Sequence, residues 1–138
     1  MRLDKNSRIS IGKRTAQDFP HGFYCYVGSG MKNLSQRIDR HRAKDKRFRW
    51  HIDWFLKNTE ILEIKKIESE ERLECAFSRE LTDRAEEPIM NGFGASDCNC
   101  VTHLHYFKQN PARVVDGVVK KLKKITDHRQ SRWYEEGP

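Results

Sequence analysis

The chain has 138 residues, of which 36% are hydrophobic and 34% are charged, and its formal net charge is +7. This length suffices for one domain with a single modest core, and the apolar share argues against a wholly disordered chain. The sequence predicts no transmembrane helix, because no apolar run approaches the roughly 20 residues that span a bilayer.

The residue patterns predict strands where apolar and polar residues alternate, and helices where apolar residues recur every three or four positions. In chain order, the predicted elements are a strand at 8–12, a strand at 23–27, a helix at 34–43, a helix at 48–57, a strand at 61–67, a helix that opens at 69–71 and includes Leu81, a loop at 86–100, a strand at 101–107 and a helix that starts at 110–111 and includes Leu122. This order predicts a small α/β domain with a largely antiparallel sheet of three or four strands, flanked by helices. We expect one domain over residues 1–138, with its core at about 8–126 and a frayed tail at 128–138.

The charge is unevenly distributed along the chain. Residues 1–57 carry a net charge of +9, residues 58–100 carry −6, and residues 101–138 carry +4. A basic excess in the first segment favours a polyanionic partner such as nucleic acid, and the alternative is an ordinary solvated surface. Residues 1–7 lack the apolar core of a signal peptide, so we expect a cytoplasmic protein whose four cysteines are reduced thiols.

The predicted strand at 23–27 leads into a glycine turn and then a basic helix. The strand and turn read Tyr24-Cys25-Tyr26-Val27-Gly28-Ser29-Gly30. Arg37 and His41 follow four residues apart, so they share one face of the predicted helix. A phenol, a guanidinium and an imidazole gathered in this way suit the binding and attack of a phosphodiester.

These residues resemble the GIY-YIG nuclease superfamily, in which a Tyr-Ile/Val-Gly strand precedes a helix with the Arg-x-x-x-His pattern. Residues 49–56, 73–76 and 92–104 resemble, in the same order, further motifs of an uncharacterised branch whose members occur alone or fused to endonuclease III. The resemblance covers roughly residues 8–107. It implies a metal-dependent endonuclease that acts on DNA or another structured nucleic acid.

The resemblance also implies roles for individual residues. Tyr26 would act as general base or position the attacking water, and Arg37 would clamp the scissile phosphate. His41 would assist as a proton or phosphate contact. Glu74 would hold Mg²⁺ or Mn²⁺, with water and phosphate completing the metal shell. The alternatives are a core aromatic for Tyr26, and exposed helical side chains for Arg37, His41 and Glu74.

Other residues are assigned to the nucleic-acid surface or to auxiliary roles. Those expected to contact the phosphate backbone are Gly28, Ser29, Arg40 and Lys44. In the auxiliary group, His51 and Asp53 either form a functional pair or belong to a packing motif with Trp50 and Trp54.

The Gly-Ile-Tyr motif of the superfamily has no counterpart before Ser10, so we expect that the strand that carries it is either truncated or encoded upstream. Tyr24 is then expected to fill part of its role.

Two alternatives to a nuclease follow from the same sequence. One is a nucleic-acid-binding module without catalysis. The other is a zinc-binding structural protein whose ligands would be Cys98, Cys100, His103 and His105. Each of these pairs has only one intervening residue, which is shorter than the usual spacing in zinc sites, so no stoichiometric zinc is expected.

Overall fold

The computed structural model describes residues 1–12, 16–28, 34–43, 51–68, 73–95, 98–126 and 132–136. The elements that these residues form are β1 (Arg2–Leu3), β2 (Ser7–Ile9), β3 (Gln17–Phe19), β4 (Gly22–Tyr26), α1 (Leu34–Arg42), α2 (His51–Leu56), β5 (Ile64–Glu68), α3 (Glu74–Thr82), β6 (Leu104–Phe107), α4 (Ala112–Thr126) and β7 (Arg132–Glu136). Within this part of the chain, no helix combines the length and the apolar composition needed to cross a membrane.

The central sheet has three antiparallel strands in the order β1-β4-β6. In this sheet Tyr24 of β4 pairs with Tyr106 of β6, and Tyr26 pairs with Leu104. Two further antiparallel pairs, β2 with β3 and β5 with β7, lie outside it. The predicted α/β class with a small antiparallel sheet is therefore confirmed.

Each face of the central sheet is covered by a separate apolar cluster. The first cluster lies on the tyrosine side of β4 and extends from the N-terminal strands to α2 and β6. Its buried members are Leu3, Ile9, Ile11, Phe19, Tyr24, Ile52, Phe55, Leu56, Phe93, Leu104 and Tyr106. The second cluster packs α3 and α4 against the sheet, and its buried members are Val27, Phe77, Leu81, Phe107, Val118, Val119 and Leu122. Because both faces are covered, every residue of β6 is buried.

The structure differs from the sequence-based prediction at several element ends. Residues 132–136 form β7 and pair with β5, whereas the sequence predicts a frayed tail there. β6 begins at Leu104 rather than at residue 101, because the Thr102 hydroxyl accepts a hydrogen bond from the Leu104 amide at 3.1 Å and interrupts the extended ladder. The third helix begins at Glu74, and the predicted opening at 69–71 lies outside the described residues.

Candidate metal centre

Three cysteines and one histidine converge at the N-terminal end of α3. Cys75 lies in the first turn of α3, and Cys98, Cys100 and His103 lie on the segment that leads into β6. Their four donor atoms all lie within 4.8 Å of one another. Cys98 Sγ and His103 Nε2 are 3.5 Å apart. Tetrahedral zinc, with bonds of about 2.3 Å to sulfur and about 2.0–2.1 Å to nitrogen, places such a pair roughly 3.6 Å apart.

The backbone of residues 92–95 and 98–103 explains how two distant segments meet. Gly92 and Gly94 have φ angles of +78° and +65°, which side chains rarely adopt, so they allow the chain to reverse here. The Gly92 amide donates to the Val101 carbonyl at 2.6 Å, and the His103 amide donates to the Phe93 carbonyl at 2.8 Å. These bonds close the segment into a loop that returns to α3, and the fully buried Phe93 ring anchors it in the core.

His103 is held between the thiols and a carboxylate. Its side chain is only 1% exposed, and its Nδ1 atom lies 3.9 Å from Glu74 Oε1. That distance exceeds a hydrogen bond. Within the described part of the chain Nδ1 is buried and has no hydrogen-bond partner. The ring therefore presents Nε2 to Cys98 and Nδ1 to the carboxylate side.

His105, the fourth zinc ligand considered from the sequence, has a different partner. Ser78 Oγ donates to the Thr102 carbonyl at 2.7 Å and lies 2.9 Å from His105 Nε2. Because the hydroxyl proton goes to the carbonyl, Nε2 is the donor of the second bond. Burial, and then the neighbouring His103, lower the pKa of His105 to about 4, so its ring is neutral near pH 7. His105 therefore joins β6 to α3 and is not part of the thiol group.

The surroundings of the thiol group favour the protonated form of Cys100. Burial, and then the nearby thiols of Cys75 and Cys98, raise the pKa of Cys100 to about 12. All four cysteines of the chain, including Cys25 in β4, are free thiols. A divalent cation bound by the cysteine sulfurs would overcome the raised pKa of Cys100, because coordination deprotonates a thiol outright.

The expectation of Mg²⁺ or Mn²⁺ is wrong for this site. Hard cations such as Mg²⁺ take oxygen ligands, whereas thiolates and imidazole select zinc. The donor set at Cys75, Cys98, Cys100 and His103 is sulfur and nitrogen, and Glu74 faces the histidine of that set. Glu74 therefore does not fit the role of an isolated magnesium ligand.

The sequence-based argument against zinc is wrong because it considered only ligands that are close together in sequence. Between residues 98 and 105, the spacings are too short to close a zinc shell. Cys75 stands 23 positions before Cys98, so no local spacing pattern marks it. The available signal was its place on a predicted helix whose inward side is apolar.

Four residues near the metal centre form a surface that we call the tyrosine face: Tyr26, His41, His51 and Gly94. The ring centroids of Tyr26 and His41 are 6.1 Å apart in an edge-on arrangement. The Gly94 amide donates to His51 Nδ1 at 3.0 Å. A Cβ placed on Gly94 would lie 3.1 Å from Tyr26 Cε1 and 3.4 Å from His103 Cβ. Gly94 therefore lies between the predicted site residue Tyr26 and the candidate metal ligand His103.

Arg40 and Asp53 form an ion pair that the sequence does not predict. Arg40 donates two hydrogen bonds to the Asp53 carboxylate, at 2.7 Å and 2.8 Å, and the Asp53 side chain is fully buried. The pair joins α1 to α2. Arg40, which the sequence predicts to contact phosphate, thus has a partner within the protein. Asp53, for which the sequence considers a pair with His51, instead pairs with Arg40.

Tyr24 belongs to the core. It is 1% exposed, and its hydroxyl donates to the Pro20 carbonyl at 2.6 Å. Burial, and then Tyr106, raise its pKa above the ordinary value, so Tyr24 is unsuited to replace a catalytic tyrosine. Gly28 follows β4 and is exposed. Ser29, Lys44 and the side chain of Arg37 lie outside the described residues.

Comparison with known proteins identifies the chain at the level of a family. The family described as "Domain of unknown function DUF123" matches residues 1–124, so the chain belongs to it. No curated protein and no solved structure matches the chain.

Proposed function

We propose that this member of the DUF123 family is a zinc-stabilised domain that binds nucleic acid on its tyrosine face. The observation that carries the proposal is the convergence of Cys75, Cys98, Cys100 and His103, with all donor atoms within 4.8 Å. Four protein ligands complete the tetrahedral shell of zinc and leave no open position, which is the arrangement of structural rather than catalytic sites.

The bound ion would fasten the loop residues at 98–103 to α3. α3 is fixed to the core by buried Phe77 and Leu81, so a ligand on α3 gives the loop a rigid anchor. Metal binding of this kind contributes directly to folding, because the site is not formed in the unfolded chain.

The same loop supports the tyrosine face. Gly94 donates to His51 and packs against Tyr26, and it lies on the chain between the core residue Phe93 and the ligand Cys98. Zinc would thus fix the positions of Tyr26 and His51 from one side. Loss of the ion should loosen this face before it disrupts the second apolar cluster.

Two observations favour nucleic acid as the partner. Residues 1–57, which supply Tyr26, His41 and His51, carry a net charge of +9. Arg42, at the end of α1, is exposed next to His41. Basic surfaces with aromatic side chains bind nucleic-acid backbones and stack on bases. The resemblance of the Tyr26 and Arg37 segment to GIY-YIG nucleases supports the same partner.

The test is the salt dependence of binding by zinc-loaded protein. Fluorescence anisotropy with labelled duplex and single-stranded DNA should show affinity that falls steeply between roughly 50 and 200 mM salt, because bound phosphates release counterions. Arg42→Ala should weaken binding to all sequences and reduce the slope by roughly one unit. Lys120→Ala, an exposed change on α4 beyond the other face of the sheet, is the matched control. Affinity that is independent of salt would contradict the proposal.

Phosphodiester hydrolysis is a second candidate, favoured by the contact between the Tyr26 and His41 rings. In this reading Tyr26 positions or deprotonates the attacking water, and His41 assists. Incubation of zinc-loaded protein with supercoiled plasmid and with branched synthetic DNA tests it. Tyr26→Phe should abolish cleavage and leave binding unchanged. If neither wild-type nor Tyr26→Phe protein cleaves any of these substrates, the domain is a binding module. If both cleave equally, the role given to Tyr26 is wrong.

A further inference from the structure

The two nitrogen atoms of His103 face different chemical groups. Nε2 lies 3.5 Å from Cys98 Sγ, on the thiol side. Nδ1 is buried, has no hydrogen-bond partner among the described residues, and lies 3.9 Å from Glu74 Oε1. A buried nitrogen without a partner costs about 1–3 kcal/mol, so this atom calls for an explanation.

Zinc binding decides which nitrogen carries the proton. A metal on Nε2 uses the lone pair of that atom, so the proton of the neutral ring must lie on Nδ1. Nδ1 then becomes a buried N–H donor that needs an acceptor. Glu74 Oε1 is the carboxylate oxygen that faces it, about 1 Å beyond ordinary hydrogen-bond distance.

We propose that Glu74 accepts a hydrogen bond from Nδ1 of His103 when zinc is bound, and so holds this ligand in the tautomer and orientation that the metal requires. The inference rests on the proposed zinc centre. It makes Glu74 a positioning residue that acts through His103. The first turn of α3 then supplies both a ligand, Cys75, and the partner of another ligand.

The surroundings of Glu74 support this assignment. Its side chain is 18% exposed and lies next to a histidine that is 1% exposed. Glu80, on the same helix, is 21% exposed but pairs with two cations, Lys121 at 2.6 Å and Arg84 at 2.7 Å. Metal-bound histidines commonly donate their second N–H to a carboxylate, and loss of that partner weakens metal binding by about 10–100-fold.

Zinc affinity, measured by competition with a chromophoric chelator, tests the inference. Glu74→Gln should raise the dissociation constant for zinc by about 10–100-fold, because an amide is a weaker acceptor and its NH₂ group is a donor. Glu74→Asp should recover part of the loss. Glu80→Gln is the matched control, and it should leave zinc affinity unchanged.

A second readout reports on the tautomer directly. Long-range ¹H–¹⁵N spectra of zinc-loaded wild-type protein should show His103 protonated at Nδ1, with a downfield and slowly exchanging proton. In Glu74→Gln this proton should shift upfield and exchange faster. A structural role of Glu74 in α3 alone would not move this signal.

The outcomes separate this inference from the proposed function. Wild-type protein that binds no zinc would overturn the zinc centre and the inference together. Wild-type protein that binds zinc tightly, with equal affinity in Glu74→Gln and Glu80→Gln, would overturn the inference alone. If Glu74→Gln fails to fold, the spectrum of zinc-loaded wild-type protein decides the question: a His103 proton on Nε2, or an Nδ1 proton that exchanges rapidly, would overturn the inference.

Discussion

Replacing Gly94 with alanine tests the contact that joins the metal centre to the tyrosine face. Gly94 has φ near +65°, and a Cβ there would lie 3.1 Å from Tyr26 Cε1 and 3.4 Å from His103 Cβ. The left-handed conformation costs an L-residue roughly 1–2 kcal/mol. A contact of 3.1 Å adds to this cost, because either the Tyr26 ring or the loop must shift.

The expected result is a loss of about 1–3 kcal/mol in the free energy of unfolding, after a gain of about 0.4–1 kcal/mol from the restricted unfolded chain is included. For a domain of this size, thermal unfolding should shift downward by roughly 3–5 °C for each kcal/mol. The measurement is circular dichroism or calorimetry of the zinc-loaded protein, with tyrosine fluorescence to follow the ring.

Gly117→Ala is the matched control for this substitution. Gly117 lies in α4, is exposed, and has no heavy atom within 4 Å of an added Cβ. The same chemical change should therefore stabilise the protein by about 0.5–1 kcal/mol, because alanine is the better helix former. A Gly94→Ala protein as stable as wild type, or more stable, would refute the loop geometry and its contact with Tyr26.

Three further predictions concern the metal and the α1–α2 connection. Cys75→Ser should abolish stoichiometric zinc and lower the unfolding temperature, whereas Cys25→Ser should keep zinc, because Cys25 is not among the four converging donors. Elemental analysis and thermal unfolding measure the two effects. Retained zinc in Cys75→Ser would contradict the ligand assignment. Zinc affinity should fall as the pH is lowered, because protons compete for the thiolates and for the histidine. Competition with a chelator at several pH values measures this affinity. A zinc affinity that does not change with pH would contradict thiolate ligands. Arg40→Ala should cost about 3 kcal/mol, because the buried Asp53 carboxylate loses two charged hydrogen bonds. The control Arg113→Ala, an exposed change on α4, should alter stability by less than about 0.5 kcal/mol. Equal unfolding free energies for the two variants would refute a stabilising ion pair.

The fold was largely predictable because its central elements carry regular local patterns. Tyr24 and Tyr26 alternate with Cys25 along β4, and Leu104 and Tyr106 alternate with His105 along β6, so each strand shows its period of two. The apolar stripe of α4 shows the helical period. These patterns predict element type, and they predict that the alternate residues His103 and His105 share one side, as their contacts with Glu74 and Ser78 on α3 confirm.

The metal centre was only partly predictable because its ligands are distant in sequence. Cys98, Cys100 and His103 are recognisable as candidate ligands from their proximity. Cys75 reaches them only because α3 packs beside the loop, and that packing depends on the whole core. The pairing of β5 with β7 is missed for the same reason, since it joins residues more than 60 positions apart.

Metal analysis combined with X-ray absorption at the zinc edge tests the central claim most directly. The purified protein, reconstituted with zinc under reducing conditions, should contain one zinc ion per chain. The first coordination shell should fit three sulfur atoms at about 2.3 Å and one nitrogen atom at about 2.0–2.1 Å. Protein that holds no zinc after reconstitution, or a shell that contains only oxygen and nitrogen, would contradict the Cys75, Cys98, Cys100 and His103 centre.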